Sequence, residues 1–222
     1  TPGAKNQGGI PFIQSPVFSH PTGLFTENFT LSLTTESSTG ILRYTTDGTE
    51  PAESSAVYSS PIPIASSTTV KAAVYEPGVG RGITVIQRYM KLDSDVQAFT
   101  SNLPIVVVDT LGSTIGTTSL CLSFSAFLDT AADGRAAMTQ APDHTGRSGI
   151  RARGFSSAPG SPYGFLKFQY ALETWDENNE DKKYSLLGFP EESDWILQGS
   201  YSDKTLMRNY LIYNWSNDIG RY

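Results

Sequence analysis

Several places in this sequence bring together residue types that can do chemistry. In Ile150-Arg151-Ala152-Arg153-Gly154 two arginines recur at period two and so share one face of a strand. Such a guanidinium pair suits bidentate capture of a phosphate or a carboxylate; structural ion pairing to Glu173 or Asp194 is the competing reading. The next stretch, 154–161, holds Ser156 and Ser157 among glycine, alanine and proline. Small residues leave backbone N–H groups open to an anion. The glycine spacing is neither the Walker A nor the kinase glycine-rich form, and a flexible hairpin loop competes with a phosphate loop. Lys167 lies in an alternating run, 165–173, on the face opposite Leu166, Phe168, Tyr170 and Leu172, which reads as the core side. It can reach an anion there or simply stand in solvent.

Other candidates carry less. Asp176, Asn178 and Glu180 place oxygen ligands at alternate positions, which suits calcium, but the glycine and distal glutamate of an EF-hand loop are missing. A solvated hairpin turn is the favoured reading. Asp143-His144 with Ser148 invites a hydrolase reading, but no Gly-x-Ser-x-Gly elbow exists to expose the serine. Cys121 in an apolar strand reads as a buried small hydrophobe. Tyr44, Tyr58, Tyr75 and Trp175 have the faces to stack sugars, although core and sheet positions account for most of them. Asn28-Phe29-Thr30 and Asn214-Trp215-Ser216 are formal glycosylation sequons that read as chance matches.

Composition narrows the classes. The 222 residues are 38% hydrophobic and 17% charged, enough apolar material for a core and too little charge for a disordered acidic tail or long coiled coil. A net charge of -6 argues against a partner rich in phosphates, so no nucleic acid is expected. One cysteine excludes an internal disulfide framework, and two histidines exclude a histidine-rich metal centre. No apolar run is long enough to span a membrane, and none has the shape of a signal peptide. Thr1-Pro2-Gly3-Ala4 at one end, and Gly220-Arg221-Tyr222 directly behind a helix at the other, lead to the expectation of a piece cut from a longer protein.

The elements that must position these residues read as mainly β. Residues 1–14 are a linker. From 15 to 93, short alternating runs such as Phe29, Leu31 and Leu33, and Val70, Ala72 and Val74, present one apolar face each. Asp47-Gly48 and Glu76-Pro77-Gly78 supply turns between them. This predicts a small antiparallel sandwich. Residues 94–102 read as a connector, and 103–222 as an α+β unit. It opens with the β-branched run Leu103-Pro104-Ile105-Val106-Val107-Val108, read as a strand buried on both faces. It closes with one strong helix from Asp203 to about Ile219. Ser202 is the expected N-cap, Gly220 the C-cap, and Met207, Leu211 and Trp215 an apolar stripe.

Two segments resemble known families. Residues 16–90 resemble the chitobiase/β-hexosaminidase C-terminal-type repeat, an immunoglobulin-like accessory module. The likeness rests on Pro16-Val17-Phe18-Ser19, Arg43-Tyr44-Thr45-Thr46-Asp47-Gly48-Thr49-Glu50-Pro51, Tyr58-Ser59-Ser60-Pro61-Ile62 and Thr68-Thr69-Val70-Lys71-Ala72. Residues 103–222 resemble the front half of a CotH-type kinase domain, the family of spore-coat protein H. That likeness is carried by Leu103-Pro104-Ile105-Val106, Gly149-Ile150-Arg151-Ala152-Arg153-Gly154-Phe155-Ser156-Ser157, Lys167-Phe168-Gln169-Tyr170, Leu186-Leu187-Gly188-Phe189-Pro190, Asp194-Trp195-Ile196-Leu197 and Tyr201-Ser202-Asp203-Lys204-Thr205-Leu206-Met207-Arg208-Asn209. Thr1-Pro2-Gly3-Ala4 is similar to the end of a bacterial lamin-tail-like module.

These resemblances imply a small immunoglobulin-like sandwich followed by an α+β partial kinase-like lobe. They imply a secreted or cell-surface bacterial protein whose kinase domain moves phosphate from ATP, with magnesium, to a surface protein. Lys167, Arg151, Arg153, Ser156 and Ser157 are then the expected nucleotide-phosphate contacts. In the family pattern Pro-Lys-Lys-x-Tyr, Lys167 is the lysine kept, while Phe168 replaces the second and the proline is lost. Arg208 and Asn209 read as architectural, with Arg208 paired to a nearby carboxylate. The family's magnesium-binding and catalytic carboxylates fall beyond Tyr222, so no catalytic residue is expected in this chain and it is expected to be inactive alone. A structural or adhesive component that self-assembles is the alternative, and glycan binding by the sandwich a second one.

Overall fold

The structure is a computed structural model that describes residues 13–220. The lamin-tail-like tetrapeptide and most of the expected linker lie outside them. Within the described residues Ile13 already packs against the core of the first unit. The described residues fall into two compact units, one of 13–107 and 126–145, the other of 108–125 and 146–220. Residues 126–145 thus group with the first unit.

The first unit is built from β1 (Val17–Phe18), β2 (Gly23–Phe25), β3 (Phe29–Leu31), β4 (Leu33–Thr34), β5 (Ile41–Thr45), β6 (Ala56–Val57), β7 (Ile62–Ile64), β8 (Thr68–Glu76), β9 (Gly80–Arg81) and β10 (Val85–Lys91). A large sheet runs in the order β2-β10-β8-β5-β6, with β9 on β8, and two short pairs, β1-β4 and β3-β7, complete the unit. The core is filled from both sets. Leu31, Leu33, Ile62 and Ile64 come from the short pairs, and Leu42, Val70, Ala72, Val74 and Tyr89 from the large sheet. Val70, Ala72 and Val74 face the core as their alternation predicts, but Ala73 on the other face is fully buried too, so the expectation of a half-buried strand is corrected for this inner strand of the sheet. The run 29–34 is divided at Ser32, so that β3 pairs with β7 and β4 with β1. One pairing departs from the antiparallel pattern: β2 runs parallel to β10, reached only after the intervening strands have crossed the unit. Tyr89 is buried, and its hydroxyl donates to the His20 carbonyl at 2.7 Å. Burial holds that hydroxyl above the usual phenol range.

The connector holds one turn of helix, α1 (Ser94–Gln97), and β11 (Thr100–Ser101), which pairs with β14 (Ala136–Ala137). Five further strands form one sheet in the order β12 (Ile105–Asp109), β13 (Cys121–Leu128), β15 (His144–Arg153), β16 (Gln169–Thr174) and β17 (Asp194–Leu197). β12 is an edge strand whose five residues are all half-buried, so the expectation of a strand buried on both faces is corrected. β16 begins at Gln169, four residues later than the alternation predicts; of the expected core side only Leu172 is buried, Phe168 and Tyr170 are half-buried and Leu166 is 83% exposed.

The helix α2 (Arg208–Asp218) starts five residues later than expected and has no buried residue. Ser202 is not its cap. Asp203 accepts the Thr205 hydroxyl at 2.7 Å and the Arg208 N–H at 3.0 Å, closing a turn ahead of the helix. Leu206 takes a left-handed φ of 58° there, which ends the upstream turn and delays the helix. Gly220 does close the far end, at φ 69° with its N–H on the Asn217 carbonyl. The expected apolar stripe is not buried, as Met207 and Trp215 are exposed and Leu211 is half-buried.

Candidate functional site

The register of β15, β16 and β17 sorts the candidate residues onto faces. Arg151 stands opposite Ala171 and Arg153 opposite Gln169, while Ala171 pairs with Ile196. Ile150, Ala152 and Leu172 take the other face and are buried. The arginines therefore share the open face, as their spacing predicts, and both are half-buried. The ion pairs expected with Glu173 or Asp194 do not form. Among the described residues no carboxylate pairs with Arg151 or Arg153. Glu173 lies opposite Gly149 and accepts the Trp175 indole N–H at 3.4 Å.

Lys167 is not a strand residue. It lies in a bend two residues ahead of β16 and is exposed. It opens onto a hollow of about 680 Å³ lined by Leu166, Phe168, Tyr170 and residues 196–199 of the β17 end. Gly199 builds this wall. A Cβ there would overlap the Phe168 carbonyl, lying 2.9 Å from its carbon and 3.2 Å from the Lys167 oxygen. Only a glycine lets the two backbones approach so closely. Sequence reasoning did not single out Gly199. An isolated glycine behind a strand pattern was its one trace.

The 154–168 segment is a chain of turns. Gly154 is left-handed at φ 87°, and a Cβ on it would meet the Ser157 hydroxyl. Ser157 is 5% exposed, its hydroxyl donates to the Arg153 carbonyl at 3.3 Å, and its own carbonyl accepts the Gln169 N–H. That hydroxyl is thus engaged in closing the loop, while Ser156 is half-buried. Phe155, Tyr163, Phe165 and Tyr201 follow one another at ring separations of 5.1 to 6.3 Å, a row that no sequence spacing announces. Arg208 pairs with a carboxylate as expected, its Nε 3.7 Å from Asp203. No residue of α2 is in the lining of the hollow.

The remaining candidates resolve into structural roles. Asp176 accepts the N–H groups of Asn178 at 2.7 Å and Glu180 at 3.0 Å, so its carboxylate closes a hairpin turn. Those bonds hold it below the usual aspartate range. Ser148 is fully buried and bonded to Ser123 Oγ at 2.8 Å, which removes it from any nucleophilic role. Cys121 is only half-buried, which corrects the expectation of a buried residue, and its thiol donates to the Ile150 carbonyl. No three histidine, cysteine or acidic side chains gather to hold a metal among the described residues. Among them, too, no helix is long and apolar enough to cross a membrane.

Comparison with known families agrees with the order read from the sequence. Residues 20–85 match the family model of the chitobiase/beta-hexosaminidase C-terminal domain. Residues 150–222 match that of the CotH kinase protein. No curated protein matches the chain. The chain therefore joins a CotH-like region to a chitobiase C-terminal-type immunoglobulin-like module in one β-rich, multidomain polypeptide.

Proposed function

We propose that this chain is part of an extracellular or surface-bound CotH-like kinase, and that its CotH-like region holds the phosphates of ATP for transfer to a surface protein. Two half-buried arginines on one strand face, with no carboxylate partner among the described residues, carry this reading. Cations left unpaired in this way fit an anionic ligand. Lys167 is a further cation, exposed at a hollow beside the start of β16 whose lining includes neither arginine.

ATP, when bound, supplies the transferable γ-phosphoryl group. The arginine forks of Arg151 and Arg153 orient phosphate oxygens, and Lys167 adds a mobile point charge. Ser156 contributes from the loop. Ser157 acts through the loop shape that its internal bond maintains. Magnesium is different: the described residues offer no carboxylate set that fits it.

Equilibrium titration of the chain with ATP and with inorganic tripolyphosphate tests the reading. Arg151→Ala, Arg153→Ala and Lys167→Ala are each expected to weaken both ligands about tenfold. Phosphate transfer is tested on the longest natural form of the protein, with labelled ATP. Tripolyphosphate binding that ignores all three substitutions would remove these residues from the proposal. A non-catalytic, adhesive or self-assembling role is the second reading. Phe168, standing where the family pattern has its second lysine, favours it. It is supported if nucleotide with magnesium produces no thermal shift.

A further inference from the structure

A separate feature lies along one edge of the large sheet in the first unit. β2 ends that sheet, and among the described residues its only strand partner is β10. Phe25 turns its backbone groups to β10, since its carbonyl accepts the Leu92 N–H at 2.9 Å. Successive residues of a paired strand point their N–H and C=O groups to opposite sides. Gly23 therefore also faces β10, and Leu24 faces away from it. Among the described residues neither the N–H nor the carbonyl of Leu24 finds a partner. The edge is closed just upstream, where the Thr145 hydroxyl donates to the Thr22 carbonyl at 2.8 Å. One open rung is left, at Leu24.

Leu24 lines a hollow of about 600 Å³, a size within the ~300–1,000 Å³ span of ligand clefts. Phe25 and Phe29 meet edge to face there at 5.2 Å, and the His20 ring lies 4.5 Å from Phe29. Ala141 and Pro142 close the side across from β2. Among the described residues no aspartate, glutamate, lysine or arginine is in the lining. Gly23 leaves room beside Phe25, because a Cβ on it would meet nothing within 4 Å. β2 itself carries no charged side chain and no proline, two of the residue types that blunt an exposed edge.

We propose that this edge takes up an extended peptide segment of another protein as an added strand. The groups left open are one donor and one acceptor on a single strand residue, and the backbone of a second strand is the complement to that pair. Antiparallel pairing meets both with one incoming residue opposite Leu24. The two neighbours of that residue then point to the Phe25 side, one of them into the room that Gly23 leaves. A lining without charge fits uncharged, apolar side chains at those two positions, since a charged one would lose its water there with no partner.

The test is NMR of the ¹⁵N-labelled chain, following the Leu24 backbone amide. The probe is acetyl-Leu-Thr-Leu-amide, whose leucines flank the pairing residue. It is expected to shift the Leu24 amide saturably and to slow its hydrogen exchange. The same peptide N-methylated at its threonine lacks the N–H that the Leu24 carbonyl accepts, and should bind about tenfold more weakly. Acetyl-Lys-Thr-Lys-amide should weaken by a similar factor. Gly23→Val, whose Cβ enters open space, should fill the room beside Phe25 and weaken the leucine peptide about tenfold. A Leu24 amide unmoved by the leucine peptide overturns the proposal, as does equal binding of the methylated form. A Leu24 amide already protected in the dilute free chain would assign the edge to the chain's own residues. Protection that grows with protein concentration alone would assign it to a second copy. Either result also overturns the proposal. If Gly23→Val does not fold, the methylated peptide decides with the unsubstituted chain.

Discussion

Gly149 carries the face of Trp175: a Cβ on the glycine would overlap Cζ2 and Cη2 of the indole. The two positions are far apart in sequence but meet because β15 and β16 are register partners, with Gly149 opposite Glu173. The Trp175 backbone N–H then returns to the Arg147 carbonyl at 3.0 Å, holding the ring over the strand. The glycine at the head of the Gly-Ile-Arg-Ala-Arg-Gly run is thus a packing requirement placed two residues from Arg151. Gly149→Ala is expected to destabilise the second unit by about 1–3 kcal/mol, the range for overpacking a filled site. Chemical denaturation followed by tryptophan fluorescence measures it; unchanged stability would mean that the ring moves aside freely.

At Gly199 the obstacle is backbone, which cannot rotate away. Gly199→Ala is expected to push the Phe168 carbonyl outward and carry Lys167 with it. A cost of about 1–3 kcal/mol in stability should accompany it. Tripolyphosphate affinity should fall as far as in Lys167→Ala. The double substitution should then lose little beyond either single one, since both act through the same amine. Additive losses by titration would separate the two positions.

Acid should loosen the start of α2. The Thr205 hydroxyl and then the Arg208 N–H hold the Asp203 carboxylate below the usual aspartate range. A depressed value means that the contribution is present above the unfolded aspartate pKa of ~4 and is lost as pH falls through the lower folded value. The Arg208 amide signal should therefore shift and exchange faster below that range. Asp203→Asn should keep part of the turn and remove the acid transition, while Asp203→Ala should lose both. A transition that persists in Asp203→Asn would assign it to another group.

Base acts on the first unit in the opposite sense. Tyr89 is 2% exposed and burial raises its hydroxyl pKa. Its contribution is full below the unfolded tyrosine value of ~10 and declines as pH rises toward the higher folded value, because the unfolded state ionises first. Tyr89→Phe should cost about 1 kcal/mol at neutral pH through the lost bond to His20. It should also flatten the alkaline loss of stability. Unfolding curves between neutral pH and strong base, for both proteins, check this.

Much of this protein was legible one residue at a time. The core side of 70–74, the Asp47-Gly48 turn, the shared face of Arg151 and Arg153 and the closing role of Gly220 are local properties of the backbone, set by period, side-chain branching and permitted φ. They appear in the structure as read. Tertiary contacts decided the rest. Whether β12 is central or an edge depends on how many strands lie beyond it, and nothing in a β-branched run encodes that number. Whether 165–168 continues a strand depends on the Ser157 carbonyl taking the Gln169 N–H and on Gly199 crowding Phe168. Whether Arg151, Arg153 and Arg43 meet carboxylates depends on long-range register. The glutamates that strand pairing brings near them, Glu173 and Glu76, are turned to Trp175, Ser37 and Thr39 instead.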